Sequence, residues 1–349
     1  MKIVHIAWMF TFGGIETMLV NIVNEQVRLG HSVRIILIED GRFDKSLAEM
    51  VDPRVKFHFC HRPRGGNILM PILRLNLLLI RLNPNTIHVH SASMYRLIFI
   101  PWLKKVVNAT MHALPKLENT IAVDTVPRLF SISEAVRRDL LAFNGTDSIT
   151  NPNGIRTELI KYRNNSEWSD ILQIVQVGRL DHGDKGQHIL ILAGKELLMR
   201  GYHNFIINFI GSGPSQSYLE DLAEECGLLN NVKFHGMKTQ SYIFEHLCDY
   251  NVLVQPSIRE GFGNTVAEAM AAKLAVIVSS GQGPEEIVDY GRYGYVFNNG
   301  DPIDCANKIE HFLLRENKVS QIEEAYKRAI EKYDIKVNVK TYIDNYVKR

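Results

Sequence analysis

The chain has 349 residues, of which 46% are hydrophobic and 22% are charged, and its formal net charge is +2. This length exceeds one ordinary domain and the composition supplies sizeable cores, so we expect two globular domains. Four cysteines lie without C-x-x-C or His/Cys ligand spacing, which argues against a zinc site and against a disulfide framework. A reducing cytoplasm fits this cysteine usage.

No targeting or membrane-spanning segment is predicted. The first residues, MKIVHIA, lead directly into a strand pattern without the hydrophobic core and cleavage site of a signal peptide. The most apolar stretch, NILMPILRLNLLLIRL (67–82), is broken by Pro71, Arg74 and Arg81, so no apolar run reaches the length that spans a bilayer. We therefore expect a cytoplasmic protein, soluble or peripheral on the inner face of the cytoplasmic membrane.

Charge is distributed unevenly along the chain. Residues 1–150 carry 18 Lys and Arg against 12 Asp and Glu, and ten basic residues without an acidic one lie between Pro53 and Leu117. The stretch 67–82 lies inside this window. Two interpretations stay open: a buried helix whose arginines reach the solvent, or a surface element that contacts anionic lipid headgroups. A nucleic-acid partner is not expected, because the basic excess is modest and no known binding module occurs.

Strand and helix patterns alternate in chain order. Strands are predicted over 3–7, 33–38, 55–59, 86–89, 106–110, 129–132, 172–177, 205–210, 232–235 and 252–255, and helices over 15–29, 134–142, 187–200, 216–226, 264–273 and 337–347. Two successive series of this kind predict an α/β protein with two doubly wound, Rossmann-like domains whose strand ends face a cleft. The polar stretch KYRNNSEWSD (161–170) suggests domains at 1–165 and 166–334, followed by a terminal segment, 335–349.

Three loops between a strand and a helix contain glycines, which allow an anionic ligand to approach the backbone N–H groups. In WMFTFGGIET (8–17), Gly13 and Gly14 let backbone N–H groups approach a ligand, although a plain tight turn explains them about as well. In QVGRLDHGDKGQH (176–188), Arg179 and Lys185 could neutralise a diphosphate, or could be ordinary loop residues. IGSGPSQSYLE (210–220), with Gly211 and Gly213, is a third such loop. The dinucleotide fingerprint G-x-G-x-x-G is absent.

The most informative segment is PSIREGFGNTVAEAMAAKLAVIVSS (256–280). Glu260 lies on a turn before a predicted helix, and Glu268 lies inside a small-residue helix that reads as buried. The helix start, at Gly263, Asn264 and Thr265, offers free N–H groups and partial positive charge that suit a phosphate. Carboxylates on either side can accept hydrogen bonds from sugar hydroxyl groups. The segment therefore predicts a site for a sugar attached to a diphosphate.

Histidines support a more limited interpretation. His88 and His90 share one face of a strand, but no third ligand is suggested, so a metal site is not expected. His112 follows a strand in T-M-H-A-L-P and points toward the expected cleft. A sugar-binding histidine and a satisfied structural histidine are both compatible with that position.

Together these motifs resemble one family. P-S-x-x-E-G-F-G, the E-x(7)-E spacing and E-A-M-A resemble the signature of family 4 retaining glycosyltransferases, and G-R-L…K-G, G-S-G-P, N-P-N-G and G-Q-G-P-E-E-I-V extend the resemblance over nearly the whole chain. It implies a GT-B fold whose last helix packs back on the first domain. It also implies a site in which Gly13 and Gly14 face the donor phosphates and the acceptor, Gly211 and Gly213 approach the nucleotide, and His112 lies near the transferred sugar.

The resemblance further implies transfer of a sugar from a nucleotide diphosphate to a glycan acceptor. We favour a UDP-sugar over a GDP-sugar as the donor, although the sequence leaves the base open, and the basic, apolar stretch of the first domain favours an acceptor that is lipid-linked. Surface polysaccharide or lipopolysaccharide synthesis is the setting we expect. Catalysis would rest on Glu260, His112, Arg179 and Lys185, with Glu268 on the ribose. No D-x-D motif occurs, so neither a metal ion nor another cofactor is expected. A nucleotide-sugar epimerase or hydrolase, and a catalytically silent binding module, remain the alternatives.

Overall fold

The structure is a computed structural model that describes residues 1–63, 65–116, 120, 122–164, 170–314 and 318–348. It divides into two compact units, Met1–Ile155 with Ile335–Arg349, and Arg156–Asp334. The predicted boundary at residue 165 falls within 165–169, outside the described residues, and the division itself comes earlier, after Ile155. Residues 156–164 belong to the second unit because Lys161 N–H donates to the Phe244 carbonyl at 2.9 Å and the Arg163 guanidinium donates to two carbonyls nearby.

The first unit is built on a parallel sheet. Its strands are β1 (Lys2–Ala7), β2 (Ser32–Leu37), β3 (Lys56–Phe59), β4 (Thr86–Val89), β5 (Val107–Met111), β6 (Arg128–Ser131) and β7 (Ile149–Thr150). In the described residues they pair in parallel in the order β3-β2-β1-β4-β5-β6-β7. Its helices up to residue 155 are α1 (Gly14–Arg28), α2 (Lys45–Glu49), α3 (Leu69–Leu82), α4 (Pro101–Lys104) and α5 (Glu134–Asn144).

The second unit repeats this plan. Its strands are β8 (Leu172–Val177), β9 (Phe205–Ile210), β10 (Val232–Phe234), β11 (Val252–Gln255), β12 (Ala275–Ser279) and β13 (Tyr295–Phe297), in the parallel order β10-β9-β8-β11-β12-β13. Its helices are α6 (His182–Lys185), α7 (Gln187–Met199), α8 (Gln216–Glu225), α9 (Gln240–His246), α10 (Asn264–Ala271), α11 (Gly283–Ile287), α12 (Pro302–Leu314) and α13 (Lys318–Tyr333).

The last helix, α14 (Ile335–Asn345), is part of the core of the first unit. Ile335, Val339 and Tyr342 are buried in one cluster with Ile3 and Phe130 of the sheet. The Ile335 N–H also donates to the Ile155 carbonyl at 2.8 Å. The chain therefore leaves the first unit after residue 155 and returns to it for its final helix.

Burial explains why the central strands read as continuous apolar runs. All residues of β11 and of β12 are buried, because a parallel sheet has helices on both faces.

Among the described ranges, none of the helices combines the length and apolar character that crossing a bilayer requires.

The strand order places the loops that matter. In each sheet the order reverses at a switch point, between β1 and β4 in the first unit and between β8 and β11 in the second. Loops that leave the carboxyl ends of such neighbouring strands diverge, which opens a crevice where ligands bind in doubly wound folds. The loops with Gly13, Arg179 and Glu260 follow β1, β8 and β11, so each lies at a switch point.

Candidate functional site

Three loops of the second unit interlock at the carboxyl ends of β9, β8 and β11. The Ile258 N–H donates to the Asp184 carbonyl at 2.9 Å, which ties the loop after β11 to the loop after β8. The Leu180 N–H donates to the Ser212 carbonyl, and the Ser215 N–H donates to the Leu180 carbonyl, each at 3.0 Å. These backbone bonds hold the three loops as one platform.

Glycines make this contact possible. A Cβ atom on Gly211 would lie 2.0 Å from the Gly178 carbonyl oxygen, and one on Gly213 would lie 2.3 Å from that of Leu180. A Cβ atom on Gly186 would lie 1.9 Å from the Pro256 carbonyl oxygen. Gly211 and Gly213, predicted as donor-binding residues, are thus required by the packing of loop against loop.

Gly186→Ala is expected to destabilise the second unit strongly. The residue has a φ of +65° and its new methyl group would overlap a backbone carbonyl, so the loop after β8 must move away from Pro256. Gly201→Ala is the matched control, since Gly201 has a φ of +86° but no atom within 4 Å of a new Cβ. We expect a loss of about 1 kcal/mol for the control and at least 3 kcal/mol for Gly186→Ala in urea unfolding. Equal losses would contradict the tight packing.

The fold brings together Glu260 and Lys185, which the sequence predicted as site residues. The Lys185 ammonium pairs with the Glu260 carboxylate, and both side chains are partly exposed, at 26% and 18%. The backbone N–H of Glu260 donates to Oε1 of Gln282 at 2.8 Å, and the Lys185 carbonyl accepts from the Gln176 side chain at 2.8 Å. The Lys185 ammonium and the Glu260 carboxylate therefore form an ion pair between two adjoining loops. A hydrogen bond to the main chain of each residue fixes its position.

Arg179 lies on the same loop but has different partners. Its guanidinium pairs with Asp181 and lies 3.9 Å from the Asp184 carboxylate, and its side chain is 62% exposed. The acidic residues of this loop therefore neutralise Arg179 in the free protein, a contact that the sequence did not reveal.

The sequence-based interpretation assigned no role to the segment Asp181–Asp184. The structure shows that His182 of this segment contacts the loop after β9. The His182 backbone N–H donates to the Ser215 hydroxyl at 3.1 Å, and its Nδ1 lies 2.8 Å from the same oxygen. The imidazole also packs on the Tyr218 ring, with centroids 4.5 Å apart. His182 thus fastens the loop after β8 to the loop after β9.

Glu268 is a buried carboxylate on the helix that follows the loop after β11. It lies on α10, is 7% exposed, and its carboxylate has no hydrogen-bond or ion-pair partner among the described residues. Burial raises the pKa of this carboxylate to about 7. A buried carboxylate without a partner is costly, and a ligand that donates hydrogen bonds to it would lower that cost.

The start of α10 lies beside these groups in the chain. Gly263 caps the helix with a φ of 99° and without a side-chain hydrogen bond, and the Thr265 hydroxyl lies 3.3 Å from Oε1 of Gln255. Asn264 is the first helical residue. The helix dipole at this end favours an anion.

In the first unit, the predicted glycines begin α1. Gly13 is the extended N-cap residue and Gly14 is the first helical residue. A Cβ atom on Gly13 would lie 2.7 Å from a carboxylate oxygen of Glu16, whereas one on Gly14 would meet open space. Burial raises the pKa of Glu16. The sequence analysis did not single out Glu16, although the sequence places this acidic residue in the first turn of the predicted helix.

His112 directly follows β5 and is half-buried. Its Nε2 lies 3.2 Å from Nδ1 of His90, and burial lowers its pKa to about 3. Ring nitrogens of His5, His88 and His90 come within 4.8 Å of one another, a spacing that could suit a metal ion. Each of these nitrogens, however, already bonds a protein group, so an ion could bind only by breaking those hydrogen bonds.

Two family models together match most of the chain. The model described as Glycosyltransferase Family 4 matches residues 12–159, and the model described as Glycosyl transferases group 1 matches residues 161–329. The chain belongs to the group 1 glycosyl transferases. This confirms the family that the E-x(7)-E segment and the glycine loops suggested.

Relatives of this group 1 glycosyl transferase share parts of its length. An uncharacterized glycosyltransferase of Methanocaldococcus jannaschii is 38% identical over 144 residues, which are 41% of this chain and 36% of that protein. The capsular polysaccharide biosynthesis glycosyltransferase CapM of Staphylococcus aureus is 29% identical over 215 residues, which are 58% of this chain and 56% of CapM. The chain thus matches between a third and somewhat more than half of the length of these relatives.

A solved structure supports the fold. HepE of Anabaena, crystallised with UDP and glucose, is 20% identical and superposes with a TM-score of 0.82 over 99% of this chain and 98% of that chain. The likeness confirms the predicted GT-B fold of two Rossmann-like α/β units. The roles of the individual site residues of this group 1 glycosyl transferase remain predictions.

Proposed function

We propose that the chain transfers a sugar from a nucleotide diphosphate, by preference a UDP-sugar, to a hydroxyl group of a glycan acceptor in surface polysaccharide synthesis. The observation that carries this proposal is the buried carboxylate of Glu268, on the helix that follows Glu260, which has no hydrogen-bond or ion-pair partner within the described part of the chain. Two similar proteins support the proposal. CapM is a capsular polysaccharide biosynthesis glycosyltransferase, which supports the pathway, and HepE was crystallised with UDP and glucose, which supports the donor.

Each group of the second unit has a place in this reaction. Glu268 accepts hydrogen bonds from the ribose hydroxyl groups, which satisfies its buried oxygens. Arg179 and Lys185 turn from their carboxylate partners to the diphosphate, and the N-terminus of α10 adds its partial positive charge. Glu260, released from Lys185, accepts from hydroxyl groups of the donor sugar.

The reaction follows from these roles. The bond between the anomeric carbon and the diphosphate oxygen breaks, and the acceptor oxygen forms its bond to that carbon on the same face, with retention of configuration. The acceptor proton passes to an oxygen of the leaving phosphate. Arg179 and Lys185 stabilise the charge that develops on the nucleotide, which is why the chemistry requires no metal ion or other cofactor.

Thermal unfolding in the presence of UDP, GDP, ADP and their sugar conjugates tests the proposal. A ligand that binds only the native state raises its stability, so the preferred nucleotide is expected to stand out. Product analysis then separates transfer from epimerisation, because a transferase needs an acceptor to release nucleotide rapidly. Absence of a shift with every nucleotide would contradict the proposed donor site.

We further propose that α3 contacts an anionic membrane surface that carries a lipid-linked acceptor. One face of the helix packs inward through Pro71, Leu75, Asn76 and Leu79, so the buried-helix interpretation holds for that face only. The opposite face exposes apolar side chains: Leu69, Met70, Leu73, Leu77 and Ile80 are 39% to 65% exposed. Arg74 and Arg81 are exposed along one side of this stripe, and they can meet lipid phosphates while the stripe enters the interface.

Leu69→Gln together with Leu77→Gln is expected to reduce binding to vesicles that contain an anionic lipid. Each leucine buries apolar area at the interface worth about 1–2 kcal/mol, so the pair should weaken partitioning at least tenfold in a sedimentation assay. Arg74→Glu with Arg81→Glu should have a similar effect that added salt diminishes. Met199→Gln, at an exposed apolar residue of the second unit, serves as control. Unchanged binding of both double variants would exclude α3 as the contact.

A further inference from the structure

A buried row of hydrogen bonds crosses the first unit from α1 to His112. Nε2 of His5 lies 2.8 Å from Oε1 of Gln26, and Nδ1 of His5 lies 3.0 Å from Nε2 of His90. Nδ1 of His90 lies 3.2 Å from Nε2 of His112. Gln26 and His5 are fully buried and His90 is 5% exposed, so protein groups decide where the hydrogens of this row lie.

The hydrogens of such a row point one way. A neutral imidazole donates from one ring nitrogen and accepts at the other. Burial lowers the pKa of His5 to about 4 and that of His90 well below its ordinary value, which keeps both rings neutral. Because both rings use both of their nitrogens, fixing one hydrogen fixes the tautomer of every histidine in the row.

Gln26 supplies the fixed end. Its amide Nε2 donates to the Tyr346 hydroxyl at 3.2 Å, which leaves Oε1 as the acceptor that faces His5. The Tyr346 hydroxyl can donate onward to Nδ1 of His88, 2.8 Å away. His5 must then carry its hydrogen on Nε2, and the same holds for His90 and His112. Nδ1 of His112 is left as a bare acceptor, and no described residue bonds it.

We propose that Gln26 is a positioning residue for sugar transfer: through His5 and His90 it holds His112 as the Nε2–H tautomer, so that Nδ1 accepts a hydrogen bond from a sugar hydroxyl group. The role of His112 in binding a sugar rests on the proposed function, whereas the assignment of its tautomer does not. A bare nitrogen selects a hydroxyl group, which can donate, over a carbonyl or phosphate oxygen, which cannot. Tyr346 lies beyond the last residue of α14, so the end of the chain takes part in orienting His112.

Nitrogen NMR of the full-length protein, labelled with nitrogen-15 in its histidine rings, measures the tautomers directly. Protonated and bare ring nitrogens resonate in separate regions, and single substitutions assign the signals. The expected spectrum has a bare Nδ1 and a protonated Nε2 for His5, His90 and His112. A protonated Nδ1 on His112 in the wild-type protein overturns the proposal.

Tyr346→Phe tests the link to activity, because it removes the acceptor of the Gln26 amide without touching His112. The amide can then turn over, so we expect two tautomers of His112 and a kcat lower by roughly 10-fold to 100-fold, similar to the loss when a group that orients a metal-binding histidine is removed. KM for the donor should change less than kcat, since the groups proposed to hold the nucleotide diphosphate, Arg179, Lys185 and Glu268, lie in the second unit. Gln26→Met should lower kcat to a similar extent.

Tyr333→Phe, at a buried tyrosine of the second unit, is the matched control and should keep kcat and the tautomers. Unchanged tautomers and kcat in a folded Tyr346→Phe protein overturn the role of Gln26. A wild-type protein that transfers no sugar from any donor contradicts the proposed function, and with it this role. An intact Nε2–H tautomer in that protein would assign the failure to the function and not to the row of hydrogen bonds.

Discussion

Replacing Glu268 with glutamine is expected to weaken donor binding and, at the same time, to stabilise the free protein above pH 7. The carboxylate is 7% exposed and unpartnered among the described residues. Glutamine keeps its shape but accepts at one oxygen only, so a ribose hydroxyl group loses its acceptor. One unsatisfied buried group costs about 1–3 kcal/mol, which corresponds to roughly a 10-fold to 100-fold rise in Kd.

The stability effect depends on pH in a direction that the pKa fixes. In the folded protein, burial raises the pKa of Glu268 from 4.5 to about 7, so the native state holds this proton more tightly than the unfolded chain. The stabilisation is fully present below pH 4.5 and is lost as the pH rises through 7. It amounts to on the order of 3 kcal/mol, and glutamine retains it because it has no proton to lose.

Urea unfolding at pH 5 and pH 8, with donor titrations at pH 8, checks both effects. Glu268→Gln should exceed the wild type in free energy of unfolding at pH 8 and approach it at pH 5. Glu224→Gln, at an exposed carboxylate of α8, should follow the wild type throughout. A Glu268→Gln protein that also follows the wild type at both pH values, and binds the donor equally well, would mean that the carboxylate finds a protein partner in solution.

Lys185→Ala is expected to lower kcat/KM for the donor by about 10²-fold to 10³-fold, the loss measured when one preorganised donor to a developing negative charge is removed. In the free protein the ammonium pairs with Glu260. We expect the leaving diphosphate to draw it away, which frees Glu260 for the donor sugar. The alanine variant loses the cation and leaves a carboxylate facing the phosphates.

A double variant separates these two losses. Lys185→Ala with Glu260→Gln removes the repulsion between carboxylate and diphosphate, so nucleotide binding should recover in part while kcat stays low. Lys195→Ala, at an exposed lysine of α7, controls for charge alone. Steady-state kinetics with the preferred donor decides the matter, and a wild-type kcat/KM in Lys185→Ala would remove Lys185 from the catalytic groups.

The sequence predicted the central strands and the loops that follow them, because a strand buried on both faces has a continuous apolar run and ends at a glycine turn. The same signal missed two short edge strands, Ile149–Thr150 with two residues and Tyr295–Phe297 with three, although it located the edge strand Val232–Phe234. Helix α3 was ambiguous for a different reason: its apolar residues cover most faces, and only the fold decides which face is buried.

Partners of the site residues were harder to predict than the residues themselves. The motifs of the second domain, taken together, predicted Arg179 and Glu268 as site residues. That Asp181 pairs with Arg179 follows from how one loop closes on itself, and that Gln26 reaches His5 follows from the packing of α1 on the sheet. Such contacts join positions whose types carry no signal in one sequence, so they emerge only from the tertiary structure.

The return of α14 to the first unit has a consequence for biosynthesis. A ribosome delivers Arg156–Asp334 as one uninterrupted stretch, so the second unit can complete its core while synthesis continues. The first unit cannot complete its core at that stage, because Ile3 and Phe130 become buried only when Val339 and Tyr342 have been synthesised and pack on them. During that interval a nascent chain presents an unfinished apolar surface to chaperones. A premature stop after residue 334 would therefore harm the half of the protein made first.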